Sequence, residues 1–145
     1  MDNKNYFEKI VDDNNEHIKM IYETLFWDAQ DAIVIADDNQ CVLNINDRFT
    51  KLFGYELEDI IGRNLDDIIA KENVVNEAKR LTKSLINGKE INIDSIRYDS
   101  KGNGVEVNIK VVPIVIKSEV VGGYGIYSDI SKRNNTEREL LKQNL

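Results

Sequence analysis

The sequence predicts an α+β fold: a five-stranded antiparallel sheet with short helices on one face, an N-terminal amphipathic helix and a C-terminal linker helix. Two short apolar runs between residues 32 and 45 predict a hairpin, and three longer runs between 89 and 129 predict three further strands. The stretch between them, 46–88, contains helical spacing and no strand pattern. Because the helices are inserted between the second and third strands, one antiparallel sheet accounts for the whole order.

The composition narrows the classes of protein. The chain has 145 residues, 41% of them hydrophobic and 31% charged, which fits one soluble domain. A net charge of −7 disfavours nucleic acid as a partner, because phosphate contacts need a basic face. The longest apolar runs, 32–36 and 111–116, are far too short for membrane insertion. The chain has one cysteine and one histidine, so few side chains are available for metal binding or a catalytic triad. We therefore expect a cytoplasmic module that is not an enzyme.

The N-terminal arm, residues 1–23, carries most of a helix that is predicted over 4–27. Six positions alternate four and three residues apart and form a heptad stripe: Phe7, Val11, Asn14, Ile18, Ile21 and Leu25. This stripe is either the seam of a parallel homodimer or the face of a helix that lies on its own domain. A single polar residue within such a seam, here Asn14, can fix its register.

The first hairpin and the helices after it have clear end signals. Asp37–Gln40 is a turn between the two strands of the hairpin. Four helical segments are predicted next: one capped by Asn46 or Asp47 that ends at Gly54, then 56–61, one from Asn64 or Asp66 to Ile69, and 74–86 capped by Asn73.

The last three strands are sorted by alternation, which places neighbouring side chains on opposite faces. On the fourth strand, the side chains expected to face the helices are those of Val105, Val107, Ile109 and Val111. Pro113 is expected at the end of this strand, where a missing N–H is tolerated. The core is assigned to residues 24–129, and the highly charged segment 130–145 is assigned to an output or linker helix.

Four segments in this order resemble the PAS domain, a sensory module of prokaryotic signalling proteins. They are Asp31–Asp37, Asn46 with Phe49 and Leu52-Phe53-Gly54-Tyr55, Glu58–Arg63, and Asp129-Ile130-Ser131-Lys132-Arg133. The resemblance covers about residues 24–133. It implies a sensor that receives a signal and relays it through the helix after the core.

The resemblance also implies a ligand pocket between the sheet and the helices. Its expected lining is Phe49, Phe53, Ala78, Leu81, Ile93, Arg97, Val107, Ile109 and Tyr127. Comparison with flavin-binding relatives places Arg97 and Tyr127 inward. A buried guanidinium needs a partner, which is either an anionic ligand such as a small carboxylate or a Glu or Asp of the protein.

The same resemblance makes Asp129, Ser131 and Arg133 the expected signal-coupling residues. The Asp129 carboxylate can accept N–H bonds at the start of the output helix, and Arg133 is near enough in sequence to pair with it. The alternative is that Asp129 is a plain helix cap.

We expect no resident cofactor. Covalent flavin chemistry in this family needs a cysteine just after the Gly-Arg segment, where this chain has Asn64 and Leu65. Haem-binding relatives use a histidine on the long helix, and 74–86 has none. A small organic ligand remains the expected signal, in a homodimer that serves a histidine kinase or a diguanylate cyclase. The alternative is a ligand-free dimerisation or protein-interaction domain.

Overall fold

The computed structural model describes residues 15–71 and 73–144. Its elements, in chain order, are α1 (Asn15–Trp27), β1 (Ala32–Asp37), β2 (Val42–Ile45), α2 (Asp47–Phe53), α3 (Leu57–Ile60), α4 (Leu65–Ile69), α5 (Val75–Ile86), β3 (Ile91–Tyr98), β4 (Gly104–Ile116), β5 (Glu119–Asp129) and α6 (Ser131–Gln143). The α+β class and the five-stranded antiparallel sheet are therefore confirmed.

The sheet has the strand order β2-β1-β5-β4-β3, and every neighbouring pair is antiparallel. The last strand, β5, therefore lies in the centre, between the first hairpin and the β3–β4 pair. This order joins two local hairpins into one layer. Because β5 is central, α6 begins at the end of the central strand.

One face of the sheet packs against α2–α5 and forms the core. Val107 and Ile109 are fully buried there, and the partly buried Val105 and Val111 pack against the same core. The predicted alternation of β4 is thus confirmed. On β5, Gly123, Gly125 and Tyr127 share the buried face.

The short helices begin and end at the predicted polar and glycine signals. Asn46 caps α2 by accepting a hydrogen bond from the Phe49 N–H, and the helix ends at Gly54 with a positive φ of 78°. Asn64 caps α4 by accepting from the N–H groups of Asp66 and Asp67. Local sequence signals therefore set the boundaries of these two helices.

Two local predictions are wrong. Val74, not Asn73, occupies the N-cap of α5, because the Asn73 amide oxygen accepts a hydrogen bond from the Tyr98 hydroxyl at 2.9 Å. Pro113 lies inside β4, which continues to Ile116, rather than at its end. The proline is tolerated because β3 pairs with β4 only as far as Val111, so one side of Pro113 has no partner strand.

The N-terminal helix is described only from Asn15 onward. Phe7, Val11 and Asn14 of the predicted seam lie outside the described residues, and so does the side chain of Ile18. Ile21 and Leu25 are 50% and 71% exposed. At the end of α1, Phe26 is buried, stacks on Tyr22 and contacts the Trp27 ring edge-on. Among the described helices, none is long and apolar enough to cross a lipid bilayer.

Candidate functional site

Three aromatic rings fill the centre of the space between the sheet and the helices. Phe49 and Phe53 of α2 are fully buried, and their ring centroids are 4.9 Å apart. The Tyr127 ring of β5 meets both of them edge-on, at 6.2 Å and 5.5 Å. Edge-to-face contacts of this kind stabilise the packing beyond the area that they bury. Of the three rings, only that of Tyr127 borders the remaining free space.

A polar cluster lies between β3 and α5. Arg97 is only 3% exposed, and its Nη1 donates to Glu77 Oε1 at 3.1 Å, to Ser95 Oγ at 2.9 Å and to the Ile96 carbonyl at 2.9 Å. Ser95 Oγ also donates to Glu77 Oε1 at 2.5 Å. The guanidinium thus has a protein carboxylate as partner, which is one of the two alternatives raised by the sequence.

A small cavity of about 20 Å³ lies next to the guanidinium, which is room for about one water molecule. Its polar lining comes from Gln40, Asp66, Thr82, Arg97 and Tyr127. A second cavity of about 10 Å³ shares part of this wall. Its lining is mostly apolar: Val34, Ala36, Gln40, Leu65, Leu85, Val111, Gly123, Tyr124, Gly125 and Tyr127. The interior therefore has a polar end and an apolar end.

Burial shifts the titration of two groups in this lining. It raises the pKa of the Asp66 carboxyl, although the hydrogen bond from Thr82 Oγ at 2.9 Å and the charge of Arg97 act in the opposite direction. Burial also raises the pKa of the Tyr127 hydroxyl, which keeps it protonated as a hydrogen-bond donor. The Tyr127 O–H and the Arg97 N–H groups can therefore both donate toward the cavity.

The structure brings only part of the predicted pocket together around this cavity. Five predicted residues line it: Ala78, Leu81, Arg97, Ile109 and Tyr127. The other four, Phe49, Phe53, Ile93 and Val107, belong to the surrounding core. Sequence reasoning missed Asp66, assigned only as a cap, and Glu77, the partner of Arg97. The requirement that a buried arginine be paired was the only signal for Glu77, and that signal names no residue.

The three predicted coupling residues do not form one cluster. Asp129 Oδ1 accepts a hydrogen bond from the Ser131 N–H at 2.9 Å and another from the Ser131 hydroxyl. Arg133 does not pair with Asp129, which corrects the expectation from sequence. Its Nη2 instead donates to Asp94 Oδ2 of β3 at 2.7 Å, because the first turn of α6 directs it across the outer face of the sheet.

A second ion pair attaches α6 to the same outer face. Arg138 pairs with Glu106 of β4. The hydrogen bond from Arg138 lowers the pKa of Glu106, and hydrogen bonds from Asn108 and Arg133 lower the pKa of Asp94. All thirteen residues of α6 keep part of their surface exposed, so this helix is attached to the sheet mainly by polar contacts.

Asn46 is a further residue of the site whose full role was missed. It is completely buried, and its Oδ1 accepts from the N–H groups of Ile33 and Phe49 at 2.9 and 3.0 Å. Its Nδ2 donates to the carbonyls of Phe26 and Asp31, both at 3.0 Å. One side chain therefore connects the end of α1 to β1 and α2.

The sequence profile that matches this chain is described as PAS domain, and it spans residues 30–132. The chain belongs to the PAS domain family. PAS domains are sensory modules of signal-transduction proteins and are generally non-catalytic. The match begins just before β1 and ends in the first turn of α6, so it includes the cavity and Asp129.

Proteins similar to this PAS domain share its fold at low sequence identity. The PAS domain of a protein from Colwellia psychrerythraea is 22% identical with a TM-score of 0.71, covering 79% of this chain and 98% of that one. A domain of a sensory box sensor histidine kinase/response regulator from Geobacter sulfurreducens is 18% identical with a TM-score of 0.64, covering 77% and 93%.

A curated human protein also matches. The high affinity cAMP-specific and IBMX-insensitive 3',5'-cyclic phosphodiesterase 8A is 23% identical over 119 residues, which are 81% of this chain. This PAS domain spans only 14% of the length of that enzyme.

Proposed function

We propose that this PAS domain is a non-enzymatic, cytoplasmic sensory module that binds a small molecule in its interior and relays the signal through Asp129 into α6, as a homodimer. The observation that carries the proposal is the position of β3. Its inward residues Ser95 and Arg97 contact Glu77 of α5, and its outward residue Asp94 holds Arg133 of α6. One strand therefore touches both the interior polar cluster and the output helix.

A second connection runs through β5. Tyr127 lines the interior cavity and also an open cleft at the C-terminal end of β5, which Asp129 borders together with Arg48 and Lys51. A displacement of the Tyr127 ring would reach Asp129, two residues along the same strand. Such a relay needs two arrangements of α6 that differ by a few kcal/mol, and a ligand that prefers one of them.

The output is proposed to be a histidine kinase or a diguanylate cyclase in the same signalling system. Support comes from the family and from the structural likeness to a sensor histidine kinase domain. The homodimer is supported by the exposed apolar face of α1, which continues the heptad stripe of the sequence.

A ligand-free dimerisation domain is the second candidate. The small size of the interior cavity, about 20 Å³, favours it, because no ordinary metabolite fits without side-chain movement. In this alternative Asp129, which precedes the N-cap residue Ile130, only stabilises the first turn of α6 through its hydrogen bonds from Ser131.

One experiment separates the two functions. The purified full chain is mixed in turn with common metabolites, and its melting temperature and the amide hydrogen exchange of α6 are measured. A sensor should give at least one metabolite that raises the melting temperature and changes exchange in α6. The response of α6 should disappear in Asp129→Ala, although the loss of the exposed hydrogen bonds to Ser131 lowers stability by only about 1 kcal/mol.

Glu119→Ala, at the exposed start of β5, is the control and should respond like the wild type. If no metabolite changes α6, or if Asp129→Ala responds fully, the relay is wrong. The dimerisation alternative would stand only if no metabolite raised the melting temperature and the protein were dimeric.

A further inference from the structure

The interior cavity contains more hydrogen-bond donors than the protein uses. All side-chain hydrogen bonds of Arg97 to described residues are donated by Nη1, which leaves its Nη2 and Nε groups without a bond in the described part of the chain. Tyr127 is 95% buried, and its hydroxyl makes no hydrogen bond to residues 15–71 and 73–144. Buried donors are normally paired, so these groups are available to an acceptor atom of a water molecule or a ligand in the cavity.

The free donors border the cavity rather than solid protein. Among the described residues, no fully enclosed side-chain nitrogen or oxygen lacks a partner. The unbonded groups of Arg97 and Tyr127 must therefore touch free space, and both residues line the same cavity. Asp66 lies in this lining too, and its Oδ2 accepts a hydrogen bond from Thr82 Oγ.

The other end of the interior is apolar and narrow. Leu85 packs against Gly123, where an added Cβ would be 2.8 Å from Leu85 Cδ2 and 3.1 Å from the Val112 carbonyl oxygen. Gly125 similarly leaves room for the Tyr127 ring. This end therefore accepts at most a few methylene groups, and only when the Leu85 side chain moves.

We propose that the interior binds a short-chain monocarboxylate of about two to four carbons, with the carboxylate at Arg97 and Tyr127 and the alkyl end beside Leu85 and Gly123. This assignment rests on the proposed function, which places a small-molecule signal in the interior. A guanidinium edge matches a carboxylate geometrically, and a hydroxyl donor adds a third bond.

Glu77 makes the binding electrostatically feasible. Its carboxylate neutralises Arg97 in the absence of ligand, and its side chain is 35% exposed. An incoming carboxylate can therefore take over Arg97 while Glu77 turns toward water, so the interior never holds an unpaired cation. This replacement of Glu77 by the ligand breaks the ion pair with Arg97 that connects α5 to β3.

The test uses sodium propionate as the probe. Propionamide, a neutral molecule of similar shape, is the control ligand. Both are titrated into the full chain at constant ionic strength and followed by calorimetry and by melting temperature. Because a ligand of five heavy atoms gains limited free energy, we expect propionate to bind with a Kd between micromolar and millimolar. Propionamide should bind much more weakly, since it carries no charge for Arg97.

Two variants locate the binding. Tyr127→Phe keeps the ring and removes the hydroxyl, and should weaken propionate binding by about tenfold. Gly123→Ala should abolish it by filling the apolar end. Tyr98→Phe, which removes a hydroxyl bonded to Asn73 outside the cavity, should bind like the wild type.

The outcomes separate this proposal from the proposed function. Equal binding of propionamide, or full binding by Tyr127→Phe and Gly123→Ala, overturns the carboxylate assignment. No response to acetate, propionate or butyrate together with a response to another metabolite overturns the assignment and leaves the sensory function standing. No response to any metabolite overturns both.

Discussion

Asn46 shows how much one buried amide can organise. Its four hydrogen bonds connect the carbonyl of Phe26 in α1, the carbonyl of Asp31, the N–H of Ile33 in β1 and the N–H of Phe49 in α2. An amide is suited to this position because it offers both donors and acceptors. Asn46 therefore sets how the N-terminal helix joins the core.

We predict that Asn46→Ala lowers the free energy of unfolding by about 3 kcal/mol, because several backbone groups lose their buried partner. Asn46→Asp should be at least as harmful, since a carboxylate oxygen would face the carbonyls of Phe26 and Asp31. The control Asn76→Ala, at an exposed position of α5, should stay within about 0.5 kcal/mol of the wild type.

Urea unfolding followed by circular dichroism measures all three variants. Equal stability of Asn46→Ala and Asn76→Ala would show that the four bonds contribute nothing net.

Single residues also show what the sequence could and could not predict. The inward direction of Arg97 and Tyr127 follows from alternation combined with the resemblance to a known family. The partner Glu77 did not follow, because it is twenty residues away and only the packing of α5 on β3 brings it near. Asn73 was misassigned because its amide oxygen serves Tyr98, a long-range partner, rather than its own helix.

The element that differs most from an ordinary core helix is α6. It follows directly from the central strand, and the Asp129–Ser131 contacts fix its first turn. Two Arg–carboxylate pairs then attach it to β3 and β4. Exposed ion pairs contribute little each and are screened by salt, so this attachment is readily reversible. The sequence predicted the helix, but not the pairs, because their spacing depends on where α6 crosses the sheet.

We predict that Arg133→Gln combined with Arg138→Gln releases α6 from the sheet while the core remains folded. Amide exchange in α6, corrected for intrinsic rates, should accelerate by a factor of about two to five per pair. The matched control Lys132→Gln with Lys142→Gln removes the same charge from the same helix and should leave exchange unchanged. High salt screens the same two ion pairs, so it should raise the exchange rate of α6 in the wild type up to, and not beyond, the rate of the arginine variant.

The same release should occur at low pH. The pKa values of Asp94 and Glu106 are lowered in the folded protein, so their stabilisation of the attached helix is present above their ordinary values of 3.8 and 4.5. It is lost as the pH falls through the lowered values. Chemical shifts of α6 that stay constant through this acid range would contradict the attachment by these pairs.

At the scale of the whole molecule, exposed apolar side chains are found on both terminal helices of the described chain, and two such regions matter here. One is the face of α1 that includes Met20, Ile21 and Leu25, and the other is the end of α6 with Leu140 and Leu141. An apolar groove between α1 and the outer face of β1, β4 and β5 adjoins the first region. The proposed homodimer uses the first region.

We predict that the full chain is a dimer and that Ile21→Glu with Leu25→Glu makes it a monomer. The control Leu140→Glu with Leu141→Glu changes two leucines of similar exposure, 54% and 67%, and should remain dimeric. Size-exclusion chromatography with light scattering gives the mass of each. A monomeric wild type, or a dimer lost only in the α6 pair, would contradict the assignment to α1.

The position of Trp27 has a practical consequence. It is the single tryptophan of the chain, and it packs edge-on against Phe26. The carbonyl of Phe26 accepts a hydrogen bond from Asn46 Nδ2. Its fluorescence emission therefore comes from the junction where the arm meets the core, and from no other site. A change in emission wavelength or in quenching by iodide would report movement of that junction in solution, without any label.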